Sequence, residues 1–333
     1  MLDPDFAAQA AIAQPEAPEG PRYLTDYSPG DKPWDVHRAQ AQRVEGVYLG
    51  TVFDSLAGRI RGCSGYLGFA WADDPDTGES RLKLRSARFC RVRHCPVCQW
   101  RRSLMWQARF LQALPAIEAA HPSARWLFLT LTVRNMPITE LRQSLQDMNK
   151  AWQRLIKRPE FAGNVQGWIR TTEVTRGRDG SAHPHFHVLL MVKPGYFAGK
   201  NYVTQSRWAD IWRECARLDY QPIVDIRAVK PKPGSTESAL RRAVSETLKY
   251  AVKPEDMAGE WLLELTKQVH RLRFIASGGL LKNVLREADE TDEDLMLAED
   301  GEGGGPELFF DWRREIKRYA KRADSARAAC RTP

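Results

Sequence analysis

The sequence predicts an α+β protein built on a mostly antiparallel sheet. Three observations carry this. A short β-rich run, Trp126 to Val133, precedes a strongly amphipathic helix. Two further strands follow, joined by a glycine-containing turn. A second helix–strand pair then completes the alternation, with no GxGxxG segment to support a doubly wound nucleotide fold.

The elements follow in order. Leu141, Leu145, Met148, Trp152, Leu155 and Ile156 recur at helical spacing, which predicts a helix over Ile138 to Lys157. Val165 to Val174 is a strand, Thr175 to Ala182 a turn, and His185 to Val192 a strand. Ser206 to Leu218 is helical, Ile223 to Val229 a strand, and Thr236 to Val252 a helix. Lys230 to Gly234, rich in proline, separates the last two. The order β-α-β-β-α-β-α begins as the ferredoxin-like arrangement, with helices on one face of the sheet. Trp261 to Leu272 reads as a helix, and Ser277-Gly278-Gly279 as a breaker.

The flanks are read more coarsely. Residues 1–33, rich in Pro, Ala and Glu, are expected to be disordered. Short strands are expected between Val47 and Phe69, and a turn over Trp71 to Ser80. Residues 45–120 form a cysteine-bearing subdomain and 125–285 the main domain. An acidic linker (286–307) leads to a basic tail (308–333), whose Trp312, Ile316 and Tyr319 predict a helix over Asp311 to Arg327.

Hydrophobic residues make up 43% of 333, enough for an ordinary core, and no apolar run approaches the ~20 residues of a membrane span. The N-terminus does not read as a signal peptide. The formal charge is +8, and residues 286–302 hold nine acidic side chains against one basic, so the remaining body is more basic still. A polyanion suits such a body.

His183-Pro-His-Phe-His187 opens the second strand of the hairpin. His185 and His187 point to one face and Phe186 to the other. Two imidazoles so placed can grip one divalent cation. If the hairpin pairs so that residue numbers sum to about 358, Glu173 lies opposite His185 and supplies a carboxylate. Open positions on the ion, filled by phosphodiester oxygens, favour Mg²⁺ or Mn²⁺. His183 reads as a spare or supporting group.

Glu246 and Tyr250 sit four apart on the predicted last helix, hence on one face. A tyrosine oxygen attacks only as phenolate, which Lys249, Lys253 or the cation would favour. A carboxylate at i−4 can take a proton from water. Cys90, Cys95 and Cys98 supply three thiolates where tetrahedral Zn²⁺ wants four ligands. Cys63 is the better fourth, and His94 the alternative. Cys215 reads as a core residue, and Cys330 lies in the tail.

FLTLT (128–132), Glu173-Val174-Thr175, HPHFHVLL (183–190) and ETLKY (246–250) occur in that order. They resemble the motifs of rolling-circle plasmid replication initiators of the HUH endonuclease superfamily, in the branch with one catalytic tyrosine and a glutamate one helical turn before it. FCRVRHCPVCQWRR (89–102) and RFIASGGLLKNV (273–284) are similar to segments of that branch. The likeness spans about Cys63 to Val284 and leaves the N-terminal ~45 residues and the tail without counterpart. It implies nicking of single-stranded or hairpin origin DNA, leaving a 5′-phosphotyrosine and a free 3′-OH. Tyr250 would be the nucleophile, His185, His187 and Glu173 the Mg²⁺ or Mn²⁺ ligands, and Glu246 the group that activates water at termination. Host helicase, polymerase and single-strand-binding protein would be partners, in the cytoplasm on plasmid DNA.

Arg88, Arg91, Arg93, Arg101 and Arg102 surround the cysteines, so a zinc-pinned knuckle is expected to contact DNA. Two rival readings are an HUH transposase or mobilisation relaxase, and a non-catalytic zinc-dependent DNA-binding regulator. The latter leaves the His-x-His strand and Tyr250 unexplained.

Overall fold

The computed structural model describes residues 22–73, 78–230, 239–249, 252–253, 256–285, 291–297 and 307–323. Tyr250, Cys330 and most of the acidic stretch lie outside the described residues.

The described chain begins with a short helix, α1 (Leu24–Tyr27), then α2 (Lys32–Tyr48), α3 (Asp54–Gly62) and the strands β1 (Tyr66–Asp73) and β2 (Ser80–Ala87). The long α4 (Pro96–Ala120) leads to β3 (Arg125–Thr132), α5 (Leu141–Leu155), α6 (Pro159–Ala162) and the hairpin β4 (Val165–Arg176) and β5 (Ala182–Val192). Next come α7 (Gln205–Ala216), β6 (Val224–Ala228), α8 (Ala239–Thr247), α9 (Gly259–Gln268) and β7 (Ile275–Gly279). The described chain closes with α10 (Asp292–Met296), β8 (Leu308–Arg313) and β9 (Arg318–Lys321).

The protein is α+β with two antiparallel sheets, ordered β2-β1-β8-β9 and β6-β3-β5-β4-β7. β5 is central in the larger sheet, and its alternation divides the core. Phe186, Val188, Leu190 and Val192 face α5 and α7, where Trp152 and Trp212 pack edge-on to Phe186. Leu189 and Met191 point the other way and meet Phe110 of α4 with Leu240 and Val244 of α8. Helices therefore cover both faces, which corrects the one-faced expectation. The cause is α4, a 25-residue helix that is not among the elements expected from the sequence. Its first turn carries Cys98, and its later part lies under the large sheet, with Phe110 edge-on to Trp126 at 5.9 Å.

Three flanking expectations are corrected. Residues 22–33 are structured: Leu24 is fully buried and Tyr23 bridges to Ala320 of β9. In the 47–69 region a strand forms only from Tyr66, where β1 begins; before it lies α3, which buries Ala57 and Ile60 on one side. The tail folds as the β8–β9 hairpin: Phe310, Trp312 and Tyr319 are buried, whereas Ile316 sits exposed in the turn. Its apolar period is thus two within each strand, and the apparent helical stripe spans a turn.

Ser277-Gly278-Gly279 belongs to an edge strand. A Cβ at Gly278 would lie 2.5 Å from the Trp168 ring, and Gly279 has φ +60°, so both glycines let the strand dock. Within the acidic stretch, α10 docks on the body: Arg91 pairs with Asp292 at 2.7 Å and Arg109 with Asp294 at 2.6 Å. Among the described residues no helix is long and apolar enough to cross a membrane.

Candidate functional site

Among the described residues two groups of potential metal ligands form, one in each half of the fold. In the large sheet, Glu173 of β4 is the direct cross-strand partner of His185 on β5, and Thr171 is the partner of His187. Opposed residues share a face, so the carboxylate meets both imidazoles. Glu173 Oε2 lies 3.0 Å from His185 Nε2 and 2.8 Å from His187 Nε2. Cis ligands about 2.1 Å from an octahedral ion lie about 3 Å apart, so the spacing suits one small divalent cation.

The far ring nitrogens are also engaged. His187 Nδ1 is 3.3 Å from Thr130 Oγ1, and His185 Nδ1 is 3.3 Å from the His183 carbonyl. Such contacts fix the rings with Nε2 directed at the carboxylate. Phe128 stacks on His187 at 5.5 Å between centroids. Thr130 and Phe128 were not singled out in the sequence. Their signal is the alternation within FLTLT, which puts both on the histidine face of β3.

Burial of Glu173 alone would raise its pKa. Hydrogen bonds from the two imidazoles, then the charges of His185 and Lys249, outweigh it and hold the carboxyl well below the usual range. Lys249 Nζ lies 3.8 Å from Glu173 Oε2 and 2.5 Å from Glu246 Oε1, so one ammonium bridges the two carboxylates. His183 is half-buried beside His185, and Lys253 is exposed. α8 ends at Thr247, short of the expected Val252, though Leu248 N still donates to Val244 O at 2.8 Å. Thr171 Oγ1 donates to Thr247 O, and Ser103 Oγ of α4 donates to Leu248 O. Two hydroxyls thus hold the chain where it runs toward residue 250, a role that sequence periodicity does not reveal.

The second group is Cys63, Cys90, Cys95 and Cys98. Cys98 Sγ is 3.6 Å from both Cys63 and Cys90, and Cys95 Sγ is 3.6 Å from Cys63. Tetrahedral Zn–S bonds of about 2.3 Å put sulfurs about 3.8 Å apart, so the four thiols match a closed zinc site. Hydrogen bonds from Cys63, Cys95 and Cys98 hold the Cys90 thiol far below its ordinary value. His94 stands outside this group; it is buried, and burial plus the Arg93 and Arg102 charges depress its pKa to about 3. Cys215 is buried in α7.

The five arginines divide. Arg88 and Arg91 are exposed, although Arg91 is paired with Asp292. Arg93 donates to the Leu272 carbonyl and lies over Phe274, and Arg102 donates to the Arg91 carbonyl. Arg101 is 7% exposed, donates to the carbonyls of Leu295 and Met296, and packs on Trp34 and Trp100. Its guanidinium is thus engaged within the fold rather than presented at the surface.

The profile of a family described as "Replication protein" matches residues 81–320. The chain is 34% identical to "Protein rep" of Lentilactobacillus hilgardii over 276 residues, covering 80% of this chain and 86% of the relative. It is 35% identical to "Protein rep" of Bacillus amyloliquefaciens, covering 85% and 88%. A "Replication protein" of Staphylococcus aureus is 37% identical, covering 60% and 91%. No solved structure gives a significant match.

Proposed function

The chain belongs to the replication-protein family, and on that premise we propose that it initiates rolling-circle replication of a plasmid by nicking and rejoining one DNA strand at the origin. The observation that carries this reading is the Glu173–His185–His187 cluster, with Lys249 beside it, immediately before Tyr250 in the chain. The strand order β6-β3-β5-β4 supports a ferredoxin-like HUH domain, with β7 added at the edge.

Tyr250 is the nucleophile in this reading. Its oxygen attacks the scissile phosphorus, the P–O3′ bond breaks, and the DNA is left as a 5′-phosphotyrosine with a free 3′-OH. Glu173, His185 and His187 would hold Mg²⁺ or Mn²⁺, which when bound supplies Lewis-acid polarisation of the phosphate. The Lys249 ammonium favours the phenolate over the phenol. Glu246 takes a proton from water at the closing step, so that hydrolysis ends the cycle without a second tyrosine. The four cysteines would hold Zn²⁺ and fix the arginine-bearing loop that precedes α4. Single-stranded or hairpin origin DNA is the substrate; a host polymerase would extend the exposed 3′ end, with helicase and single-strand-binding protein as further partners.

A nicking assay on single-stranded origin DNA with Mn²⁺ tests this reading. Wild type should nick and form a covalent adduct; Tyr250→Phe should do neither while still binding DNA. Persistent adduct in that variant would move the nucleophile elsewhere, with Tyr220 and Tyr202 the next to test.

A further inference from the structure

A cleft of about 350 Å³ separates the cysteine-bearing half from the large sheet. Arg93 and Arg102 line it from one side, Thr171 and Lys249 from the other, with Trp106 and Phe274 among its apolar walls. That volume suits a ligand the size of one nucleotide. The cleft adjoins the histidine cluster directly, because Thr171 is the cross-strand partner of His187 and Lys249 reaches Glu173.

Its charge is unusual for a cleft with largely apolar walls. Arg93 is largely buried, yet it meets the Leu272 carbonyl and the Phe274 ring, neither of which neutralises it. Two cations thus face a shared space, and among the described residues no carboxylate pairs with Arg93. A desolvated guanidinium without a counter-charge is costly, and a phosphate placed there would relieve it through charge-assisted hydrogen bonds. The apolar side offers what a base and sugar need, since aromatic side chains stack bases irrespective of sequence. Gln99, 8% exposed, also lines the cleft, and its Oε1 has no hydrogen-bond partner.

We propose that this cleft is a nucleotide subsite, seating the unit of single-stranded DNA that flanks the scissile phosphate, with its phosphate between Arg93 and Arg102 and its base and sugar against Trp106 and Phe274. The identification of the neighbouring phosphate as scissile rests on the nicking function proposed above; the nucleotide site itself does not. The subsite spans both halves of the fold, so the cysteine cluster contributes to substrate placement by holding the loop that bears Arg93.

Thymidine 3′,5′-bisphosphate, titrated calorimetrically into the full-length zinc-loaded chain, is the direct probe. It should bind, and Arg93→Gln and Arg102→Gln should each weaken it about tenfold or more. Lys150→Gln, on the exposed side of α5, should leave the affinity unchanged. Arg102→Gln keeps the test valid should loss of the Arg93–Leu272 contact loosen the fold, and zinc content with melting temperature reports on that. Inorganic phosphate should bind about tenfold more weakly than the bisphosphate. Absence of bisphosphate binding at millimolar concentration, equal affinity in a folded Arg102→Gln, or equal affinity for inorganic phosphate would overturn the subsite. The nicking assay is a separate readout: a chain that binds the bisphosphate as described but never nicks keeps the subsite and loses the proposed reaction.

Discussion

Glu173 and His185 are direct cross-strand partners on β4 and β5, with Oε2 3.0 Å from Nε2. The pairing makes the cluster a property of hairpin register. A one-residue slip would send Glu173 to the opposite face from both histidines. Register is pinned by Phe186, Val188 and Leu190, which are fully buried on the other face. The same alternation that builds the core therefore assembles the candidate cation site.

Cation binding should respond in graded fashion. His187→Ala and Glu173→Ala each remove a donor and should abolish measurable Mn²⁺ binding and Mn²⁺-dependent nicking. Thr130→Val removes only the group beside His187 Nδ1, and should lower Mn²⁺ affinity about tenfold. Isothermal titration with Mn²⁺ checks this; unchanged affinity in both His187→Ala and Glu173→Ala would place the ion elsewhere.

The cysteine group should behave as a closed structural site. Thiol titration should release about one zinc ion per chain. Cys63→Ser should weaken zinc retention and lower the melting temperature, because Cys63 Sγ sits within 3.6 Å of both Cys95 and Cys98. Unaltered zinc content and stability in that variant would return the fourth position to His94.

The sequence showed the larger sheet well because its strands and helices differ in period. His185 and Glu173 could be paired on paper since a hairpin with a short turn admits few registers. The β8–β9 hairpin mimics a helix in sequence because Trp312, Ile316 and Tyr319 satisfy helical spacing by accident of where the turn falls. The flanking halves were obscured for another reason. β1 pairs with β8 across some 240 residues, and no local pattern announces a partner so far away. Arg101 shows the same limit: it looks like its neighbours in sequence, and only the packing of α10 and Trp34 reveals a buried cation.

Arg101 should therefore act on stability rather than on DNA. Burial lowers its pKa to about 10, and two carbonyls accept its N–H groups. Arg101→Ala leaves those carbonyls unpaired and should cost about 2–3 kcal/mol in denaturant unfolding. Its salt slope for DNA binding should match wild type, whereas loss of a phosphate contact would reduce that slope by about one. A reduced slope with unchanged stability would restore Arg101 to the DNA surface.

Acid should destabilise the fold through His37. The ring is 8% exposed, stacks on Trp100 at 4.7 Å, and burial depresses its pKa to about 4 despite the bond with Gln40. An unfolded histidine titrates near 6.5, so between those values the unfolded chain binds more protons and stability falls as pH falls. At pH 5 the loss relative to neutral pH is about 2 kcal/mol. His37→Phe keeps a stacking ring and should flatten the melting-temperature profile between pH 6.5 and 4. An equally steep profile in that variant would assign the acid sensitivity to other groups, such as His94.

Initiation and termination should separate at Glu246. Its carboxylate is half exposed, hence open to water, and is joined to Glu173 through the Lys249 ammonium. In the proposed reaction cleavage needs the tyrosine oxygen and the cation, and Glu246 supplies neither. Glu246→Ala should therefore nick within a few-fold of wild type and still form the covalent adduct. Loss of the Glu246–Lys249 pair leaves Lys249 facing Glu173, which is why cleavage survives. The closing step differs, because a general base typically contributes about 10²–10⁴-fold to water activation. The variant should stall after one round and accumulate products longer than one plasmid unit. Lys249→Met should do the opposite, slowing cleavage first because it removes the cation that favours the phenolate. Nicking and unit-length circle formation measured side by side distinguish the two. Equal loss of both activities in Glu246→Ala would make the residue a positioning partner for Lys249, and hydrolytic termination would need another base.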